Sequence, residues 1–142
     1  MTMDATATTF PDQSVSCASL HCAFEMFAGD DDMGLIKELS RVLVKGGRAL
    51  IIPLYMHTHY CGYTTREFRF RAEKLAKDAH LYLRRDMCGI PFSRKYDVGK
   101  LMERVLLPAA EHGLEYRIYV LRNGRDVSTH VYCHFILELV KK

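Results

Sequence analysis

Three side chains in the run Tyr55-Met56-His57-Thr58-His59-Tyr60-Cys61 stand two residues apart and carry two imidazoles and a thiol. In an extended segment alternate residues point the same way. His57, His59 and Cys61 then present nitrogen, nitrogen and sulfur to one side, donors that suit a zinc-like ion. A single HxHxC with no fourth ligand in view reads instead as a polar rim loop, so no metal is expected. His21 and Cys22 follow the apolar run Val15–Leu20. The carboxyl end of such a strand is where open parallel sheets place their ligands. Arg66, Arg69, Arg71, Lys74, Lys77, Arg84 and Arg85 interleave with Phe68, Phe70 and Tyr82, as nucleic-acid-binding surfaces do. Glu67, Glu73, Asp78 and Asp86 dilute that charge, and a solvated amphipathic helix accounts for the stretch better than a nucleic-acid partner.

The whole chain is 142 residues, enough for one domain with a real core. Hydrophobic residues make up 49% and charged residues 26%, an ordinary globular balance, and a formal charge of +3 is too small to argue for a polyanion partner. No apolar run is long enough for a membrane span, and the N-terminus lacks the basic and apolar regions of a secretory signal. Five cysteines, an odd number, show no CxxC and lie in apolar stretches. Free thiols in a reducing cytosol fit them better than disulfides or a zinc cluster.

Several elements must position these groups. Val15–Leu20 does not alternate polar with apolar and reads as a strand covered on both faces. Asp30, Asp31 or Asp32 can cap a helix from Met33 to Val44, whose apolar face is Ile36, Leu39 and Leu43, widened by Leu35 and Val42. Lys45-Gly46-Gly47 reads as its stop, and Ala49–Leu54 as a second buried strand. Strand, crossover helix and strand make a βαβ unit, so the two strands are expected to be parallel. The stretch from Thr64 to Arg85 is expected to be helical, with Phe68, Leu75, Ala79 and Leu83 as apolar positions. A further helix begins at the Asp97 cap and stops near Gly113, with a kink or early break at Pro108. Leu114–Asn123 and His130–Val140 are expected as an antiparallel strand pair.

The segments "MDATATTFPDQSVSCASLHCAFEMF" and "LIKELSRVLVKGGRALIIP" together resemble the class I S-adenosylmethionine-dependent methyltransferases. In that family a "gDa…lPf.d.sfD.v.s…alEH" segment precedes "l.kE..RVLkpGG.l.i..P". The resemblance covers Met3 to Pro53 well and Asp97 to Lys142 in outline. It implies an α/β fold: a partial Rossmann-like sheet made of the βαβ unit plus the C-terminal antiparallel pair, with a helical, substrate-side insertion at 55–113. It also implies S-adenosylmethionine as cofactor and, in the intact form, methyl transfer to a small-molecule or glycan acceptor, while this chain alone is expected to be inactive.

By the same resemblance Asp4 and Ala5 fall on the pair that receives adenine, and Leu20 lies at the strand end beside the cofactor. His21 lies beside the transferred methyl group, where an imidazole could orient or deprotonate an acceptor hydroxyl. The family's "EH" reads Glu25-Met26 here, so the usual histidine is missing and Glu25 reads as a helix-start or loop carboxylate. Arg94 and Tyr96 read either as acceptor contacts or as the seat of the following helix. No GxG is present, although the family binds its cofactor first through a glycine-rich turn. The expectation is a single, N-terminally truncated methyltransferase-like domain over 1–142, beginning in mid-fold. Val15–Leu20 then becomes an edge strand, through which the chain pairs with itself or with a partner. The alternative is a non-catalytic pseudo-methyltransferase or interaction subunit.

Overall fold

The computed structural model describes residues 2–75, 78–85 and 92–142. Its main sheet has four strands, β1 (Val15–His21), β2 (Leu43–Ile52), β7 (Phe135–Lys141) and β6 (Leu114–Val120), in the order β1-β2-β7-β6. β1 and β2 run parallel, joined by helix α1 (Asp31–Val42), as expected of the βαβ unit. β7 lies between β2 and β6 and is antiparallel to both. β1 pairs with β2 alone among the described residues, so its other edge carries no strand.

One apolar face of α1 drives the packing. Leu35, Ile36, Leu39 and Val42 are buried, and Leu43 continues the face into β2. They meet Ala49 and Ile51 of β2 and Leu137 and Leu139 of β7, alternate residues that share one side of the sheet. A second helix, α3, lies on that same side. It runs through Val98–Leu101, a π-helical turn Met102–Leu106, and Leu107–Glu111. Leu101, Val105, Leu106 and Ala109 bury into the same core. Asp97 caps α3 as expected, accepting from Lys100 N at 2.7 Å. The helix does not break at Pro108. Proline has no N–H to donate, and the turn before it widens so that Leu107 N bonds Met102 O, five residues back.

Four local expectations need correction. Gly46 and Gly47 do not stop the helix, which ends at Val42 in an extended Leu43. They form a bulge inside β2, where the register jumps from Val15↔Leu43 to Cys17↔Arg48. Gly46 has φ +76°, and a Cβ on Gly47 would meet Val44 O at 2.8 Å. Secondly, β1 is not covered on both faces: Ser16, Cys17, Ser19 and His21 are exposed. Thirdly, residues 64–85 are not one helix. β3 (Cys61–Thr64), a short α2 (Arg69–Leu75) and β4 (His80–Leu83) replace it, with residues 76–77 outside the description. The insertion therefore holds a second sheet, β4-β3-β5, completed by β5 (Ser93–Lys95). Tyr63 and Tyr82 face each other across its parallel pair at 5.7 Å, the kind of cross-strand aromatic contact that favours strand over helix. Lastly, the final strand begins at Phe135, not His130, because residues 121–134 fold into turns around a short α4 (Gly124–Val127). No helix among the described residues is long and apolar enough to cross a membrane.

A buried polar knot joins the insertion to the main core. Asp32, fully buried in the first turn of α1, does not cap the helix. Its Oδ1 accepts from Arg104 Nη2 at 2.7 Å, and its Oδ2 from Arg104 Nε at 3.0 Å and Tyr96 Oη at 2.6 Å. Arg94 Nη1 stands 2.7 Å from the same Oδ2. Arg94 and Arg104 also donate to the carbonyl of Gly29. Arg94 and Tyr96 thus seat α3 and α1. Burial pushes the Asp32 carboxyl up, but the Arg104 bonds, the Arg94 charge and the Tyr96 hydroxyl outweigh it and leave it below its ordinary value. Removing one member of such a pair strands the opposite charge, at a cost of about 3–5 kcal/mol. Asp32→Ala is expected to lose about that much stability in urea denaturation, with Asp32→Asn between it and the wild type. A loss below about 1 kcal/mol for Asp32→Ala would show that the knot does not hold the two sheets together.

Candidate functional site at the strand ends

The carboxyl ends of β1 and β2 are adjacent, in register from Ala18↔Ala49 to His21↔Ile52. Leu20 is half-buried against the core and His21 is exposed at the strand end. Cys22 turns the chain with φ +49° and donates its N–H to Ile52 O at 2.9 Å. Its Sγ lies 3.0 Å from the Tyr132 hydroxyl and 4.0 Å from His21 Nε2. The chain then makes a single 3₁₀ turn, Phe24–Met26. Phe24 buries into the core and stacks on Tyr96, with ring centroids 5.7 Å apart.

Glu25, the middle residue of that turn, is 7% exposed, and its Oε2 has no hydrogen-bond partner among the described residues. Burial raises its carboxyl above the ordinary value, while its own backbone N–H, Lys95 and His21 pull the other way. Lys95 reaches this end of the sheet from β5, its ammonium 3.5 Å from the centre of the Tyr55 ring. Burial lowers Lys95, and Glu25 and Cys61 oppose that shift. Tyr55 is pushed up to about 12, by burial first and then by the negative groups around it, Glu25 foremost. A carboxyl pushed up beside an ammonium pushed down is the pattern of an acid–base site. Reading the sequence misses this pair, because Lys95 joins Glu25 only through the strand pairing of the insertion.

On the other side of the 3₁₀ turn lies a hollow of about 340 Å³. Asp4, Ala5 and Thr6 line one wall, and Ala23, Met26 and Phe27 the other. Asp4 is exposed, and its Oδ1 accepts from Thr6 N at 2.8 Å and Thr6 Oγ1 at 2.7 Å. These bonds hold its carboxyl below the ordinary value. The structure therefore groups Asp4 and Ala5 in one hollow and sets His21 at the strand end, with the turn between them.

What holds Asp4 and Ala5 there is the helix motif downstream. Glu38 Oε1 accepts from Thr8 N at 2.8 Å and Thr8 Oγ1 at 2.6 Å. Arg41 grips Glu38 through Nε and Nη2, Asp12 at 2.6 Å and the carbonyls of Thr8 and Phe10. The "E..R" of the "kEl.RVL" segment is thus a clamp on residues 8–12.

The four described cysteines are free thiols, and Cys88 lies outside the described residues. So do Lys77 and Asp86, and the side chain of Lys74 is not described, so the basic stretch is only partly represented. Arg84 stacks on Tyr63 with its guanidinium 5.3 Å from the ring centre.

Residues 1–51 match the family model described as Methyltransferase domain. No curated protein matches the chain. Among solved structures, the chain is similar to a SAM-dependent methyltransferase of Methanosarcina mazei, with TM-score 0.60 and 16% identity over 98% of this chain and 65% of that one. It is similar to an S-adenosylmethionine-dependent methyltransferase of Mesorhizobium loti, with TM-score 0.54 and 12% identity over 98% and 67%. A third likeness is to a chain in the complex between the Haloferax volcanii Trm112 methyltransferase activator and a methyltransferase, with TM-score 0.51 and 15% identity over 98% and 59%. At these identities the likeness establishes the fold. The chain spans 65% of the length of the first of them.

The clamp gives a pH prediction. Glu38 is held down to about 2 from its ordinary 4.5, first by its bonds to Arg41, against burial, and then by Thr8. A depressed carboxyl stabilises the fold when ionised, so its contribution is complete above about 4.5 and is lost as pH falls through about 2. Acid unfolding followed by circular dichroism is expected to show this loss in the wild type. Glu38→Gln is expected to start less stable and to vary less over that window. Parallel acid profiles for the two proteins would remove the clamp from the account.

Proposed function

We propose that this chain, whose fold is similar to that of SAM-dependent methyltransferases and whose residues 1–51 match a methyltransferase-domain model, supports methyl transfer to a small-molecule or glycan acceptor. The cofactor of that family is S-adenosylmethionine, which supplies a sulfonium-bound methyl group for in-line displacement. The donor set of the Asp4 hollow fits its adenine end. Asp4 offers a carboxylate acceptor to an amino group, the Ala5 backbone is at hand for a ring nitrogen, and Ala23, Met26 and Phe27 supply apolar surface.

The observation that carries the reading is the buried, partnerless Oε2 of Glu25 at the strand ends. Among the described residues that buried atom has no donor, and an acceptor hydroxyl or amine would provide one. In this reading His21 takes the proton of the nucleophile as it reacts, and Glu25 accepts a hydrogen bond from a second donor group of the acceptor. Lys95 and Tyr55 close one side of the site, keeping water from the nucleophile. The free thiols suit a reducing cytosolic setting.

Titration calorimetry with S-adenosylmethionine tests the donor half. Binding heat is expected, with affinity at least tenfold weaker, about 1.4 kcal/mol, in Asp4→Ala. Radiolabelled methyl transfer to a panel of small hydroxyl and amine acceptors tests the other half. His21→Ala and Glu25→Gln are expected to keep donor binding and lose about 100-fold or more in turnover. An absence of heat at about 1 mM donor, or full turnover in both variants, overturns the proposal.

A second reading, a non-catalytic interaction subunit, draws on the free edge of β1. Backbone groups on such an edge recruit another strand, from a second copy of the chain or from a partner. The Haloferax volcanii relative is itself in a complex with an activator. Sedimentation analysis is expected to show self-association that Ser19→Pro abolishes, since strand alternation turns the Ser19 N–H away from β2, towards which Ser14 N and Cys22 N donate. A monomer at all concentrations would leave self-pairing out.

A further inference from the structure

The loop from β2 to β3 folds the HxHxC run back on itself. The ligand atoms of His57, His59 and Cys61 all lie within 4.8 Å of one another. Zinc bonds of about 2.0–2.3 Å place tetrahedral ligands roughly 3.3–3.8 Å apart, so side-chain shifts of about 1 Å close the set on an ion.

The backbone that presents these atoms is anchored along its length. His57 N donates to Tyr96 O at 2.7 Å, and Tyr60 N donates to Asp97 Oδ2 at 3.0 Å. Cys61 opens the central strand of the small sheet, paired with His80 on one side and Lys95 on the other. Tyr96 belongs to the buried Asp32 knot, so one end of the loop is tied to that buried contact.

A second observation points to a ligand. His59 Nε2 stands 2.7 Å from Tyr82 Oη. With Nε2–H donating to the phenol oxygen, Nδ1 keeps a lone pair, the arrangement by which metal-binding histidines are oriented from behind. Thr58 Oγ1, 3.2 Å from that Nδ1, belongs to an exposed residue that can turn away. The Cys61 side chain is buried, on a strand paired on both sides.

We propose that His57, His59 and Cys61 form a divalent transition-metal site of zinc type, with Tyr82 positioning His59 and water in the fourth position. Two imidazoles and a thiolate match the borderline softness of zinc, and an open fourth position distinguishes such a site from closed structural ones. The site is independent of donor binding and stands or falls separately from it.

Cobalt(II) titration of the metal-free full chain tests it. Binding is expected to saturate at about one equivalent, with visible ligand-field bands, a thiolate-to-cobalt charge-transfer band, and displacement by zinc. His57→Ala and His59→Ala are each expected to weaken binding about 10- to 100-fold or more, and Tyr82→Phe about tenfold. Cys61→Ser is expected to lose the charge-transfer band. His80→Ala is the control for a general histidine patch, since its ring stacks 5.8 Å from His59 outside the set, and it is expected to bind as wild type. Because Cys61 is buried, the His57→Ala/His59→Ala double variant at half-exposed positions carries the decision, scored with unchanged circular dichroism and the loss of any zinc-dependent rise in melting temperature. No saturable cobalt binding up to about 1 mM, a charge-transfer band retained in Cys61→Ser, or undiminished binding by the double variant overturns the proposal.

Discussion

Asp32 is a carboxylate with no access to water, and the arrangement of the two sheets depends on how its charge is met. Desolvating an ion costs several kcal/mol, which only close, well-aligned partners offset. Asp32 finds them in Arg94, Arg104 and Tyr96, from two elements more than sixty residues further along the chain. The guanidiniums share the carbonyl of Gly29, so the loop before α1 is fixed with them. A hydrophobic contact at this place would bind the same elements with less angular definition. The fork geometry of arginine fixes direction as well as distance.

That direction carries over to the strand-end site through strand alternation. In β5 and the residue after it, Arg94 and Tyr96 point into the knot. Lys95, between them, points the other way, towards Tyr55 and Glu25. Shifting β5 by one residue would exchange the two roles and bury a lysine against an aspartate that needs a bidentate partner. The core contact therefore sets the register that delivers Lys95. The same register puts the Tyr96 carbonyl where His57 N meets it and pairs Lys95 with Cys61. Stability and chemistry share one strand of three residues.

Much of the main sheet was legible in the sequence because its signals are local and periodic. The apolar face of α1, the parallel β1–β2 pair and the Asp97 cap all follow from spacing within one or two turns. The insertion was not legible, because its strands are short and their partners are distant. His80 to Leu83 carries the same residue types in a helix as in a strand, and pairing with β3 decides between them. The aspartates show the limit most clearly. Three in a row before a helix read as caps, but Asp32 turns inward to arginines that lie far away in sequence. Glu25 read as a helix-start or loop carboxylate for the same reason: its burial and its neighbour Lys95 come from tertiary structure.

The glycine and arginine motif joins these two halves of the argument. Its Gly46-Gly47 pair looked like a helix stop. In the fold the glycines make the bulge that lets β2 leave the helix at Val42 and still meet β1 in register by Cys17. Glu38 and Arg41 fasten residues 8–12, and so hold Asp4 and Ala5 against the Phe24–Met26 turn. A motif with no chemistry of its own thus sets both walls of the hollow: the bulge places the end of β1, and the clamp places the segment that faces it. Spacing alone shows the motif but not its task, because the residues it fastens are thirty positions upstream and become its neighbours only when the chain lies back along α1.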